Sequence, residues 1–222
     1  MFDLVRKLSD AFGVSGNEEE IRAVITEEIK DKVDDIYTDT LGNLIAVKKG
    51  TGRKIMLDAH MDEIGVMATF IDDNGFIRFS NLGWVYQYFA LGQKVRFKNG
   101  TIGSVFYEEK LDDMKNLKLS RMYIDIGAKS REEAEKKVRI GDTACFVGDA
   151  VQTGDMIISK ALDNRSGCAV LIKVIQNLPE TDNELYFVFT VQEELGLRGA
   201  RTAAYQIQPD IAIAIDVTDT GD

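Results

Sequence analysis

Three apolar runs of strand length end in side chains that bind metals or move protons, and this pattern limits the fold more than any other. Leu185 to Gln192 runs into Glu193-Glu194-Leu195-Gly196. Ile211 to Ile215 runs into Asp216-Val217-Thr218-Asp219. Lys54 to Ala59 runs into His60, the only histidine of the chain, with Asp62 two residues on. Side chains alternate along a strand with period two, so His60 and Asp62 point the same way. A fourth element, Ile157 to Leu162, delivers Asp163-Asn164-Arg165 just before a helical stretch. In open α/β sheets, ligands bind beyond the carboxyl ends of the strands. Acidic groups at such ends, together with the one imidazole, point to a single shared site.

The chain has 222 residues, enough for one large or two modest domains. A net charge of −10 argues against a nucleic-acid backbone as partner. No apolar run approaches the roughly 20 residues that span a bilayer, and the first residues read as an amphipathic helix without a signal-peptide core, so a cytoplasmic protein is expected. Cys145 and Cys168 both sit in apolar stretches, as buried free thiols of a reducing compartment do.

Along the chain, Phe2, Val5, Leu8 and Phe12 form one helical face, which Gly13 and Gly16 break. A second helix is predicted from Asn17, a capping residue with Glu20 three positions on. Gly42-Asn43 marks a hairpin between two short strands. From about residue 66 to 159 the texture changes to short alternating runs punctuated by glycine, as in a small barrel or sandwich. Ser130-Arg131-Glu132-Glu133 is a capping box inside that stretch. Strand–helix alternation then resumes, with helices over 166–177 and 198–205. The fold class is therefore α/β. A discontinuous domain, 1–65 and 160–222, is interrupted by a β-rich insert, 66–159.

Each candidate ligand has a plainer reading. His60 on an apolar strand fits a hydrogen-bonded core side chain as well as a ligand. Asp163 stands where a helix N-cap belongs, and Asp216 fits a solvated strand end. Glu193-Glu194 is harder to explain without a cation, because two adjacent carboxylates after an apolar run repel each other and lose solvation. Charge supports the constellation: Asp163, Glu194, Asp216 and a hydroxide would balance two divalent cations, with His60 adding a neutral nitrogen. That mixed donor set fits zinc, cobalt or manganese better than calcium.

The segments Ala59-His60-Met61-Asp62-Glu63-Ile64-Gly65, Leu162-Asp163-Asn164-Arg165, Glu193-Glu194-Leu195-Gly196 and Ile215-Asp216-Val217-Thr218 resemble, in order, the motifs of the M42 metallopeptidases. These are glutamyl and deblocking aminopeptidases, often labelled cellulases or endoglucanases. The resemblance implies a three-layer αβα peptidase domain carrying a small β-barrel-like insert that shapes substrate access and helps build large homo-oligomers, usually of twelve subunits. It implies two divalent metal ions. His60, Asp163 and Asp216 would hold one, and Asp163 would bridge to a second held also by Glu194. Asp62 would orient His60, and Glu193 would be the general base in hydrolysis of N-terminal residues from peptides by metal-activated water. A cis peptide between Asp163 and Asn164 is implied as well.

The chain departs from the family pattern in one respect. The family's second metal takes a further histidine from near the C-terminus of a longer chain, whereas this one stops at Asp222. The expectation is a C-terminally shortened catalytic domain, binding its second metal weakly and assembling less well. Two rival functions stand beside the peptidase. One is a glycoside hydrolase built on a carboxylate pair, for which a single Trp, Trp84, offers few sugar platforms. The other is a non-catalytic oligomerising remnant.

Overall fold

The computed structural model describes residues 1–108 and 113–218. Helices α1 (Phe2–Asp10) and α2 (Glu19–Ile29) precede strands β1 (Asp35–Thr38), β2 (Leu44–Lys48) and β3 (Lys54–His60). Strands β4 (Gly65–Ile71) and β5 (Ile77–Leu82) follow, then the short helix α3 (Gln87–Ala90) and strands β6 (Lys94–Phe97), β7 (Ile102–Tyr107) and β8 (Met122–Asp125). Next come α4 (Arg131–Glu135), β9 (Thr143–Phe146), β10 (Val151–Thr153) and β11 (Met156–Ile158). The chain continues through α5 (Leu162–Gln176), β12 (Glu184–Thr190), α6 (Arg198–Ile207) and β13 (Ile211–Ala214). It divides into two compact units: Met1–Glu63 with the chain from Asp149 onward, and Ile64–Gly148. The hairpin β10–β11, expected within the β-rich insert, falls in the first unit.

The first unit is built on a sheet of order β1-β2-β12-β3-β13. β1, β2 and β12 pair antiparallel, while β12 and β13 both run parallel to β3. Helices α1, α2 and α5 cover one face, where Leu8, Ile21, Ile25, Ala59, Leu171, Phe187 and Phe189 share a core. Helix α6 covers the other through Ala203 and Ile207 against Met56 and Val188. This is the three-layer αβα arrangement expected from the sequence. β12 reads as a continuous apolar run because both its faces are buried. Burying each of Phe187 and Phe189 contributes about 1.5–3 kcal/mol. β13 lies at a sheet edge, and Ile211 and Ile213 are exposed there.

The second unit is a closed six-stranded barrel of order β4-β5-β8-β7-β6-β9, which removes sheet edges altogether. Its core includes Val66, Ile77, Val95, Phe97, Val105, Ile124 and Phe146. Gly103 on β7 permits close packing there, since a Cβ would sit 2.3 Å from Ile124 Cγ2. Ser130 caps α4 by accepting from the Glu133 amide, and the Glu133 carboxylate returns to the Lys129 amide.

Two local expectations change. Glu18, and not Asn17, occupies the N-cap of α2, and the Glu20 carboxylate reaches back to the Phe12 amide. The run from Ile157 lies in β11, which among the described residues pairs with β10 alone, with Met156 and Ile158 exposed. Asp163 does not cap the helix: the non-helical backbone runs on through Asn164, and it is Asn164 Oδ1 that takes the Gly167 amide, at 3.0 Å. Both cysteines are buried, as expected. Among the described residues, no helix is long and apolar enough to cross a membrane.

Candidate metal centre

Parallel pairing of β3 with both its neighbours brings three strand ends to one edge of the sheet. His60 pairs with Thr190 at the end of β12, and Asp58 holds the Ile215 amide just after β13. The fourth component arrives on the first turn of α5. Asn164 Nδ2 donates to the Ile215 carbonyl at 2.8 Å, tying that turn to the segment that carries Asp216. With Asn164 acting as cap and tie, the neighbouring Asp163 carboxylate is left to face the imidazole. The Asp163–Asn164 peptide is cis.

His60 is 3% exposed and makes contacts through both ring nitrogens. Nδ1 lies 3.1 Å from the Asp62 carbonyl oxygen and 3.3 Å from Asp62 Oδ1. Nε2 lies 2.9 Å from Asp163 Oδ1, and 3.8 Å from both Glu193 Oε2 and Asp216 Oδ1. With Nδ1 donating to Asp62, Nε2 is the ring atom that faces three carboxylates from three elements. Two ligand-type triads result, His60–Asp163–Asp216 and His60–Glu193–Glu194, each with donor atoms within 4.8 Å of one another. Glu193 and Glu194 reach this place because the chain turns sharply after β12. Gln192 and Leu197 take positive φ, and the Gly196 and Leu197 amides close on the Glu193 carbonyl.

The Asp62 carboxylate lies behind this cluster, fully buried. Its Oδ1 accepts from the Glu193 amide at 3.0 Å, and its Oδ2 accepts from the Ser15 hydroxyl at 2.6 Å and the Glu194 amide at 3.3 Å. Burial alone would raise its pKa. His60, Ser15 and the Glu193 amide outweigh burial and hold it below the usual carboxylate range.

Electrostatics at the front are opposite in sign. Burial, reinforced by Asp163, pushes Glu194 up to about 7. Burial raises Glu193 too, with Asp62 and Asp216 adding to the rise and His60 opposing it. Asp58 rises to about 6, chiefly through burial. Its Oδ1 and the Thr190 hydroxyl are buried without a hydrogen-bond partner, although Thr190 is near enough to moderate that rise. Burial alone would lower His60, but hydrogen bonds to Asp163 and Asp62 outweigh it and carry the ring to about 11. Asp58, Glu193 and Glu194 raised beside an imidazole held cationic describe a site that demands positive charge. One nitrogen and several carboxylate oxygens are also the donor chemistry of zinc, cobalt and manganese. These residues fit a divalent metal.

A cleft of about 370 Å³ opens beside the cluster, lined by Asp58, Thr190, Glu193, Leu197, Arg201 and Asp216 among others. A wider surface hollow between Lys32, Lys48 and Asp182, of about 760 Å³, holds neither of the two triads.

All the residues singled out in the sequence, His60, Asp62, Asp163, Glu193, Glu194 and Asp216, come to this one edge. Asp219 lies outside the described residues. Sequence reasoning missed Asp58, Ser15, Asn164 and Cys168, whose thiol donates to the His60 carbonyl. For Asp58 the signal was present, since period two places it on the same face as His60. The others act across long sequence separations and leave no local trace.

The profile of the M42 glutamyl aminopeptidases matches residues 42–222. A protein of Acetivibrio thermocellus is 71% identical over all 222 residues, which cover 67% of that relative. The structure of an aminopeptidase from the archaeon Desulfurococcus kamchatkensis superposes with a TM-score of 0.92 at 38% identity, over 98% of this chain and 63% of that one. A TET1 peptidase of Pyrococcus horikoshii superposes with a TM-score of 0.88 at 35% identity, over 96% of this chain and 68% of that one. The chain thus spans about two thirds of the length of the relatives it matches. With that profile over most of its length, this chain belongs to the M42 glutamyl aminopeptidase family.

Proposed function

We propose that this chain carries the catalytic groups of a metal-dependent aminopeptidase. The observation that supports this most is His60 Nε2 facing Asp163, Glu193 and Asp216 at 2.9–3.8 Å. In this reading His60, Asp163 and Asp216 would hold one divalent cation, and Asp163 and Glu194 would hold a second. Zinc or cobalt suits that donor set, with manganese also compatible. Such metals, when bound, lower the pKa of water and polarise a carbonyl.

The chain's own residues do the rest. Asp62 fixes the tautomer and tilt of His60. Glu193, half-buried and raised in pKa, takes the proton of the attacking water at Oε2 and passes it to the leaving amine. The surplus of carboxylates attracts a free α-amine, which orients the peptide with its N-terminal residue at the site. A carbohydrate substrate finds less support, because an imidazole at the centre of the carboxylates serves no role in a two-carboxylate glycosidase. Assembly into homo-oligomers is part of the proposal, since the Pyrococcus horikoshii peptidase can assemble into a tetrahedron or an octahedral shell.

The test compares free and N-acetylated peptides with the purified chain supplied with cobalt or zinc. The reading expects release of the N-terminal residue from the free peptide only, loss of turnover with EDTA, and recovery on adding cobalt. Glu193→Gln is expected to abolish turnover while cobalt binding persists. Cleavage that survives EDTA, equal cleavage of acetylated peptides, or near-normal rates in Glu193→Gln would each overturn it.

A further inference from the structure

The loop between α1 and α2 supplies no ligand, yet it grips two of the three strand ends that do, those of β3 and β12. Gly13 accepts the Glu63 amide at 2.9 Å, and Val14 forms an isolated parallel bridge with Glu63. Glu18 Oε1 accepts the Gln192 amide at 3.3 Å, immediately before the Glu193–Glu194 turn. Between them, Ser15 donates its hydroxyl to Asp62 Oδ2 at 2.6 Å, with both side chains buried. Arg165, fully buried at the start of α5, pins the loop by donating to the carbonyls of Ala11 and Gly13. Gly13 is required at that point, because a Cβ would come within 2.7 Å of the Arg165 guanidinium.

The Ser15 contact differs from the others because of what lies beyond it. Among the described residues, Asp62 is the one group that touches the His60 ring and both ligand-turn amides. Its Oδ1 is held by the Glu193 amide, but its Oδ2 meets the Glu194 amide only at 3.3 Å. The hydroxyl bond is the shortest of the contacts on this carboxylate, and a hydrogen bond to an ionised acceptor is among the stronger kinds. We propose that Ser15 is a positioning residue: through the Asp62 carboxylate it sets the His60 ring and the Glu193–Glu194 turn together. Its effect on metal binding rests on the reading of the site given above, whereas its hold on the turn does not.

The test uses Ser15→Ala, Asp62→Ala and the double variant, with two readouts. The first is amide exchange at Glu193 and Glu194 in EDTA-treated protein, with the Phe187 amide inside β12 as reference. The second is cobalt affinity. Groups that orient a metal ligand typically change affinity 10–100-fold, so Ser15→Ala is expected to weaken cobalt binding about 10-fold. It should also speed exchange at Glu193 and Glu194 while Phe187 stays unchanged. In the Asp62→Ala background, removing Ser15 should add little to either readout. Equal acceleration at Phe187 would mean general destabilisation and would overturn the proposal. So would unchanged exchange at the turn, or an unchanged cobalt affinity in a parent chain that binds cobalt. Should the parent bind no cobalt, the metal reading falls and exchange alone decides: a selectively loosened turn upholds the role of Ser15, and an unaltered turn removes it.

Discussion

Replacing Glu18 with glutamine should flatten one limb of the pH–stability profile. Glu18 is 4% exposed and accepts from the amides of Gly16 at 2.7 Å and Gln192 at 3.3 Å. Burial, with Asp62 adding repulsion, raises its pKa from 4.5 to about 7, even though the two amides favour the ionised form. A folded-state pKa above the unfolded one means that the folded chain keeps its proton longer. The stability linked to that proton is complete below pH 4.5 and is lost as pH rises through about 7. At about 1.36 kcal/mol per unit, the change amounts to about 3 kcal/mol. Glutamine keeps a carbonyl oxygen for both amides and does not ionise. Urea unfolding of both proteins in EDTA, from about pH 4 to about pH 8, isolates the contribution. Wild type minus Glu18→Gln should fall by about 3 kcal/mol across that range, leaving the variant the more stable at the alkaline end. Parallel profiles, or a wild type that gains on the variant as pH rises, would refute the reasoning.

Other outcomes follow from the same contacts. Arg165→Leu removes donors from the carbonyls of Leu8, Ala11 and Gly13 and leaves buried Glu63 with Lys160 as its remaining cationic partner. Loss of one member of a buried ionic group costs about 3–5 kcal/mol, measurable by urea unfolding. A change under about 1 kcal/mol would mean the network is dispensable. Asn164→Ala deletes the cap on Gly167 and the tie to Ile215, and should cost about 1–3 kcal/mol in thermal unfolding. It should also weaken cobalt binding, since that tie sets Asp163 beside Asp216; unchanged affinity would contradict this.

The layered fold and the ligand cluster were legible because they rest on local signals. An unbroken apolar run such as Leu185 to Phe189 in β12 declares a strand buried on both faces, and the residues just past the strand's end declare the edge where ligands gather. The barrel was legible as texture, but its closure was not. Closure depends on β9 pairing with both β4 and β6, which no short window encodes. The exchange of roles between Asp163 and Asn164 escaped for a subtler reason. Both are good caps by type, and only the non-helical backbone at those two positions moves the cap one residue on. Ser15 carries no signal of its own between the helix-breaking Gly13 and Gly16. Its partner Asp62 lies 47 residues away, and no periodicity spans that distance.

One imidazole and several carboxylates distant in sequence converge at this strand edge, in this reading, to hold a cation. Anomalous diffraction at the cobalt edge, from crystals of the chain grown with cobalt, tests it most directly. The account predicts a peak at about 2.0–2.2 Å from His60 Nε2, shared with carboxylate oxygens of Asp163 and Asp216. A strand edge bare of cobalt, with His60 still hydrogen-bonded to Asp163, would contradict it.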